Sequence, residues 1–193
     1  RRGEVTRLAP VFAEVARRLR AANPELAVIA PAARGVVGLL DETLKADAAG
    51  WPHVLDPRGF DAAGWEMRKR TAFAAADVAL AASGTVSLEL AAAGTPVVIG
   101  YDTNRLTAWL AKRLVKVDTA TLVNLVTGTR AVPEFLFENC TPGEIRPAVE
   151  VLLVDPAASA AQKAAGDAAM RLLGRGGEPP GLRAARSVLE HLG

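Results

Sequence analysis

The chain has one cysteine, Cys140, in 193 residues. A single thiol excludes an internal disulfide and any multi-cysteine metal site, and fits a reducing compartment. It reads as a small packing residue. Only two histidines are present, His53 and His191. They are isolated from each other, so neither a His-based metal site nor a Ser-His-Asp triad assembles, and no metal or cofactor is expected. Aromatics make up 5% of the residues and the net charge is only +2. That combination lacks the basic and aromatic interleaving of nucleic-acid binders, so no nucleic-acid partner is expected. No apolar run approaches the roughly 20 residues of a membrane span. No signal-peptide pattern is present, and a cytoplasmic location is the expectation. The chain also lacks a Gly-x-x-x-x-Gly-Lys-Ser/Thr loop and a Gly-x-Gly-x-x-Gly after a strand. Those absences argue against a P-loop nucleotidase and a dinucleotide oxidoreductase.

What is present is apolar and helix-forming. Half of the residues are hydrophobic, enough to bury a sizeable core in one domain with a helical appendage. Helical periodicity covers residues 4–22 and stops at Asn23-Pro24. The apolar run 26–30 reads as a buried parallel strand. Further helices are predicted at 34–48, 64–76, 85–93 and 104–116, with strands at 53–55, 78–82 and 96–100. Gly94 suits the end of the third of these helices. Alternating strands and helices predict an α/β fold: a Rossmann-like, doubly wound parallel sheet with helices on both faces. Beyond 116 the pattern changes. Residues 122–126 form a short apolar piece, and helices are predicted at 133–138, 142–154, 157–173 and 181–192. The Gly- and Pro-rich stretch 174–181 reads as a hinge before the last helix. The expected division is a Rossmann-like domain over 1–155 and a helical tail over 156–193. A doubly wound domain normally opens on a strand, but this chain starts almost at once on a helix, so a cut inside a ligand loop is inferred.

The most informative stretch is Ser83-Gly84-Thr85-Val86-Ser87-Leu88-Glu89, where an apolar strand runs into a small-residue turn and a helix. Amide groups at a helix start, with Ser and Thr hydroxyls beside them, make a ready site for a phosphate or diphosphate. Glu89 lies four residues beyond Thr85, on the face of the helix mouth, where it suits ribose hydroxyls. An equal reading makes Ser83 a helix cap and Glu89 a solvated carboxylate. Ligands of an open parallel sheet gather at the carboxyl ends of its strands. Those ends hold residues 31–34, 56–60, 83–85 and 101–105, with 1–3 at the end of a preceding strand. Arginines recur among them, which suggests an anionic ligand. Arg1 or Arg2 suits a diphosphate oxygen. Asn124, set between apolar residues, offers a donor and an acceptor to a polar ligand or caps a turn. Tyr101 is a candidate pocket wall. Residues 109–116 join an apolar face to three cations, Lys112, Arg113 and Lys116. They read as an ordinary half-wet helix in preference to one lying on an anionic membrane.

The run from Ala79 through Glu89, continued by Gly94-Thr95-Pro96-Val97-Val98-Ile99-Gly100-Tyr101, resembles the donor-binding signature of the lipid-A-disaccharide synthase family. Trp109-Leu110-Ala111-Lys112-Arg113-Leu114-Val115-Lys116 followed by Leu122-Val123-Asn124-Leu125 is similar to that family's next block. Arg1 through Val5 resembles the tail of its Gly-Ser-Arg loop. The resemblance runs from residue 1 to about 155 and is most specific over 77–125. It implies a glycosyltransferase of the GT-B fold, of which this chain would be the C-terminal, UDP-sugar-binding half.

The implied reaction transfers 2,3-diacylglucosamine from UDP to 2,3-diacylglucosamine 1-phosphate with inversion. No metal is implied, and the catalytic base is placed in the other half. Arg1 with Ser83, Gly84 and Thr85 would serve the diphosphate, Glu89 the ribose, and Asn124 the donor sugar or phosphate. Peripheral inner-membrane association, and a homodimer through the C-terminal segment, are further expectations. The 56–65 loop is longer than the family's usual one, which puts uracil recognition near it in doubt. Alternatives are another GT-B transferase or epimerase using a UDP-sugar, or a non-catalytic Rossmann-like binding module.

Overall fold

The computed structural model describes residues 2–44, 52–103, 119–178 and 180–192. Helix α1 (Arg2–Ala22) buries Leu8, Ala9, Ala13, Val15, Ala16 and Leu19, a single stripe at helical spacing. It closes where the Asn23 amide donates to the Leu19 carbonyl. Strand β1 (Ile29–Pro31) pairs in parallel with β2 (His53–Leu55), in the register Ile29 to His53 and Pro31 to Leu55. Between them lie a 3-10 turn (Arg34–Val36) and helix α2 (Val37–Leu44). Strand β1 starts later than the apolar run predicts, because the Leu26 amide is taken by the Asn23 carbonyl in the turn after α1.

Helix α3 (Ala62–Ala75) starts at Asp61, whose carboxylate accepts from the Gly64 amide at 2.7 Å. Then come β3 (Ala79–Ala82), α4 (Val86–Ala93) and β4 (Val97–Tyr101). Gly94 ends α4 in the left-handed conformation, as its position predicts. The predicted helix over 104–116 lies outside the described residues. The apolar piece at 122 is helix α5 (Leu122–Thr127).

The helix predicted at 133–138 is instead strand β5 (Glu134–Leu136) followed by a 3-10 turn (Phe137–Asn139). Tertiary pairing decides this. The Ile99 amide donates to the Pro133 carbonyl at 2.9 Å, and β5 runs parallel to β4 in the register Ile99 to Glu134. Phe137 at φ 55° then breaks the strand. Helices α6 (Pro142–Val154), α7 (Pro156–Leu172) and α8 (Pro180–Leu192) complete the chain.

The β3–β4–β5 sheet is parallel and covered on both faces. Side chains alternate across it, as strand geometry requires. Leu80, Ala82, Val98 and Phe135 meet Leu8, Val15 and Leu19 of α1 and Ile145, Val149 and Leu152 of α6. Ala79, Ala81, Val97 and Ile99 turn to the other side, where Leu90 and Ala91 of α4, Val123 of α5 and Ala169 of α7 close the second core. That arrangement explains why these strands are apolar throughout instead of alternating. Among the described residues, the sheet expected as one falls into two parallel groups. Among those residues, β1 and β3 each pair with a strand along one edge. Helix α8 is held at its start by Arg183, which donates to the Leu173 carbonyl at 2.7 Å, and by an ion pair of Arg186 with Glu178. Its Leu182, Val188 and Leu189 are more than half exposed. Among the described residues, no helix is long and apolar enough to cross a membrane.

Candidate functional site

Strand β3 ends at Ala82, and Ser83, Gly84 and Thr85 turn the chain into α4. Gly84 has φ 140°, a backbone conformation that side-chain-bearing residues rarely adopt. The bonds of the first turn run from the Ser87 amide to the Gly84 carbonyl and from Leu88 and Glu89 to Thr85. The amides of Gly84, Thr85 and Val86 come before those bonds, where helix starts have donors to spare. Thr85 is the residue preceding the helix, is exposed, and makes no capping bond with its side chain. The Ser87 hydroxyl, fully buried, turns back to the Gly84 carbonyl at 2.9 Å and braces the turn from inside.

Ser83 does not cap α4. Its hydroxyl donates to the Ala120 carbonyl at 2.8 Å, so its proton is spent and the oxygen is left with acceptor capacity only. Ala120 belongs to the segment leading into α5, and that segment is held by Glu134. The Glu134 carboxylate accepts from the Ala120 amide at 3.0 Å, the Thr121 amide at 2.9 Å, the Asn124 side-chain amide at 2.9 Å and the Thr119 hydroxyl. Burial pushes this carboxyl up, but the hydrogen bonds from Thr119, Thr121, Ala120 and Asn124 outweigh it and hold it below the usual carboxylate range. Asn124 is fully buried. Its second amide proton goes to the Val132 carbonyl, and its carbonyl accepts from the Val132 amide, both at 2.9 Å. Both donors are therefore committed to the fold, and the direct ligand contact expected of this residue has no donor left to make it.

Glu89 is half-exposed on α4. Its Oε2 pairs with Lys69 of α3 at 2.6 Å, and Lys69 also reaches Glu66 at 2.9 Å. Partial burial pulls the Lys69 ammonium down, yet Glu89 and Glu66 leave its pKa raised. Tyr101 ends β4 with its ring edge-on to Phe137, centroids 6.2 Å apart. After β2, Asp56 is tied to Arg58, and Arg34 donates to the Phe60 carbonyl. These arginines organise their own loops. Burial, with Asp102 adding to it, pushes the Cys140 thiol up to about 11, which suits a packing role.

Residues 1–176 match the sequence profile of a family described as lipid-A-disaccharide synthetase. A relative named lipid-A-disaccharide synthase from Ruegeria pomeroyi is 54% identical over 196 residues, covering 100% of this chain and 47% of the relative. Namesakes from Paramagnetospirillum magneticum and Rhodospirillum centenum are 38% and 39% identical, over 100% and 98% of this chain and 47% and 45% of their own lengths. The chain belongs to the lipid-A-disaccharide synthetase family. It spans about half the length of the curated relatives it matches.

Of the residues that the resemblance to lipid-A-disaccharide synthases marks, Ser83, Gly84 and Thr85 stand together at the α4 mouth. Asn124 is linked to Ser83 through Glu134 and Ala120. Glu89 sits one turn into α4, facing α3. Arg1 and the block 109–116 lie outside the described residues. Glu134 was missed by sequence reasoning. The signal for it was one carboxylate in an otherwise apolar run, Val132-Pro133-Glu134-Phe135-Leu136-Phe137, where burial demands a partner for the charge.

Proposed function

We infer that this chain is the donor-binding half of a lipid-A-disaccharide synthase. The α4 mouth carries the reading: amides of Gly84, Thr85 and Val86 ahead of the first helical bonds, with exposed Thr85, at the carboxyl end of β3. A diphosphate there meets oriented N–H groups and the positive end of the helix dipole. Arg1, at the start of the chain, would add a guanidinium to it. Glu89 keeps one carboxylate oxygen outside its Lys69 bond for ribose hydroxyls. In the proposed reaction, the 6-hydroxyl oxygen of 2,3-diacylglucosamine 1-phosphate forms a bond to C1 of the donor sugar. The C1–oxygen bond to UDP breaks, and UDP leaves with the electron pair. The hydroxyl proton goes to a base outside this chain. Donors aimed at the departing diphosphate stabilise the charge that grows on it. The exposed apolar side of α8 supports its packing on another part of the enzyme.

Calorimetric titration of the chain with UDP tests the reading. Heat is expected with UDP and far less with uridine, because the diphosphate is the anchor. No turnover is expected from the chain alone with both lipid sugars. An absence of heat with UDP, or turnover without the rest of the enzyme, overturns it.

A further inference from the structure

Thr121 N–H and Ala120 C=O belong to one peptide group, and that group is held from both sides. Its N–H donates to Glu134 Oε1 at 2.9 Å, and its carbonyl accepts the Ser83 hydroxyl at 2.8 Å. A charged acceptor on the N–H side of a peptide polarises it and makes its carbonyl a stronger acceptor. The Glu134 carboxylate therefore acts on Ser83 through a single peptide plane. It also fixes the plane's position, because the neighbouring Ala120 amide and the Thr119 hydroxyl end on the same carboxylate. Oε1 further takes one proton of the Asn124 side chain, whose other bonds tie it to Val132. The carboxylate stands where it does because β5 pairs with β4 and brings Glu134 beside Ile99.

We propose that Glu134 is a positioning residue for the nucleotide site. By clamping the 120–121 peptide and Asn124, it sets the direction of the Ser83 hydroxyl at the α4 mouth. Ser83 is thereby kept as an acceptor beside the amide donors of that mouth, so a diphosphate and a hydroxyl-bearing neighbour are met by different groups. This role rests on the donor-site reading above and adds a residue that never touches the nucleotide.

The test uses the 193-residue chain and UDP as probe, with E134Q, S83A and the double variant followed by titration calorimetry and by amide NMR. Glutamine keeps the size of the side chain but removes its charge and turns one acceptor oxygen into a donor facing the Ala120 or Thr121 amide. E134Q is expected to weaken UDP binding about tenfold, the scale of one hydrogen bond at the mouth lost through a misdirected Ser83. The Ala120 and Thr121 amide protons should move upfield while the rest of the spectrum keeps its dispersion. S83A should also weaken binding, and the double variant should bind no worse than E134Q, because the two act through one path. Wild-type binding with unchanged affinity in E134Q, or strictly additive losses in the double variant, overturns the positioning role and leaves the donor site standing. An absence of UDP heat from the wild type overturns the donor site and this role with it. Should E134Q lose its amide dispersion, T119V removes one hydroxyl from the same carboxylate and is titrated in its place. Unchanged affinity there overturns the proposal equally, and a weakened one supports it.

Discussion

At the start of α5 the amides of Ala120 and Thr121 end on the carboxylate of Glu134. At the start of α4 those of Gly84, Thr85 and Val86 come before the first helical bonds, and, as at α5, the preceding residue makes no side-chain cap. Amides at or just before a helix start favour an anion. The first carries its anion in the chain, delivered by β5. The second keeps the position open at the surface. The contrast agrees with the proposed division of roles, Glu134 as structure and the α4 mouth as the diphosphate site.

The comparison breaks most easily at Glu134. E134L strands several donors against an apolar side chain and should cost roughly 3 kcal/mol of unfolding free energy, read by urea denaturation. Acid should reproduce part of that loss. The folded carboxyl lies below its unfolded value, so its stabilisation is complete above the ordinary glutamate value of about 4.3 and is lost as pH falls through the lowered one. E134L should lack that component of the acid dependence. G84A asks the complementary question at the open end. A side chain at φ 140° should cost about 2 kcal/mol in thermal or urea unfolding and abolish the UDP heat. If G84A keeps wild-type affinity, the α4 mouth is not the ligand end. The smallest effect belongs to Lys69. K69A removes a partly buried bridge to Glu89 and Glu66 and should change stability by about 1 kcal/mol.

Much of the fold was legible because strong local patterns agreed with the tertiary structure. The stripe from Leu8 to Leu19 gave α1, and Val97-Val98-Ile99, apolar on both faces, gave a buried parallel strand. Gly94 marked a helix end that only a left-handed residue makes cheaply. The site was half legible. Ser83-Gly84-Thr85 announces a turn with donors, but the direction of a hydroxyl depends on what lies across from it. Ala120 is distant in sequence, so its carbonyl gave no warning. Glu134 failed for a related reason. Phe135, Leu136 and Phe137 carry no period of two, and only pairing with β4 makes that stretch a strand. Asn124 looked available because nothing in the sequence reveals that Val132 and Glu134 consume its amide.

Strands β1 and β3 bring a different consequence. Among the described residues, neither pairs with a strand on the side away from its partner, and an unpaired strand edge templates any extended segment that reaches it. Handled in isolation at high concentration, the polypeptide should self-associate through these flanks before its helices loosen, and a matched peptide that docks there should keep it dispersed.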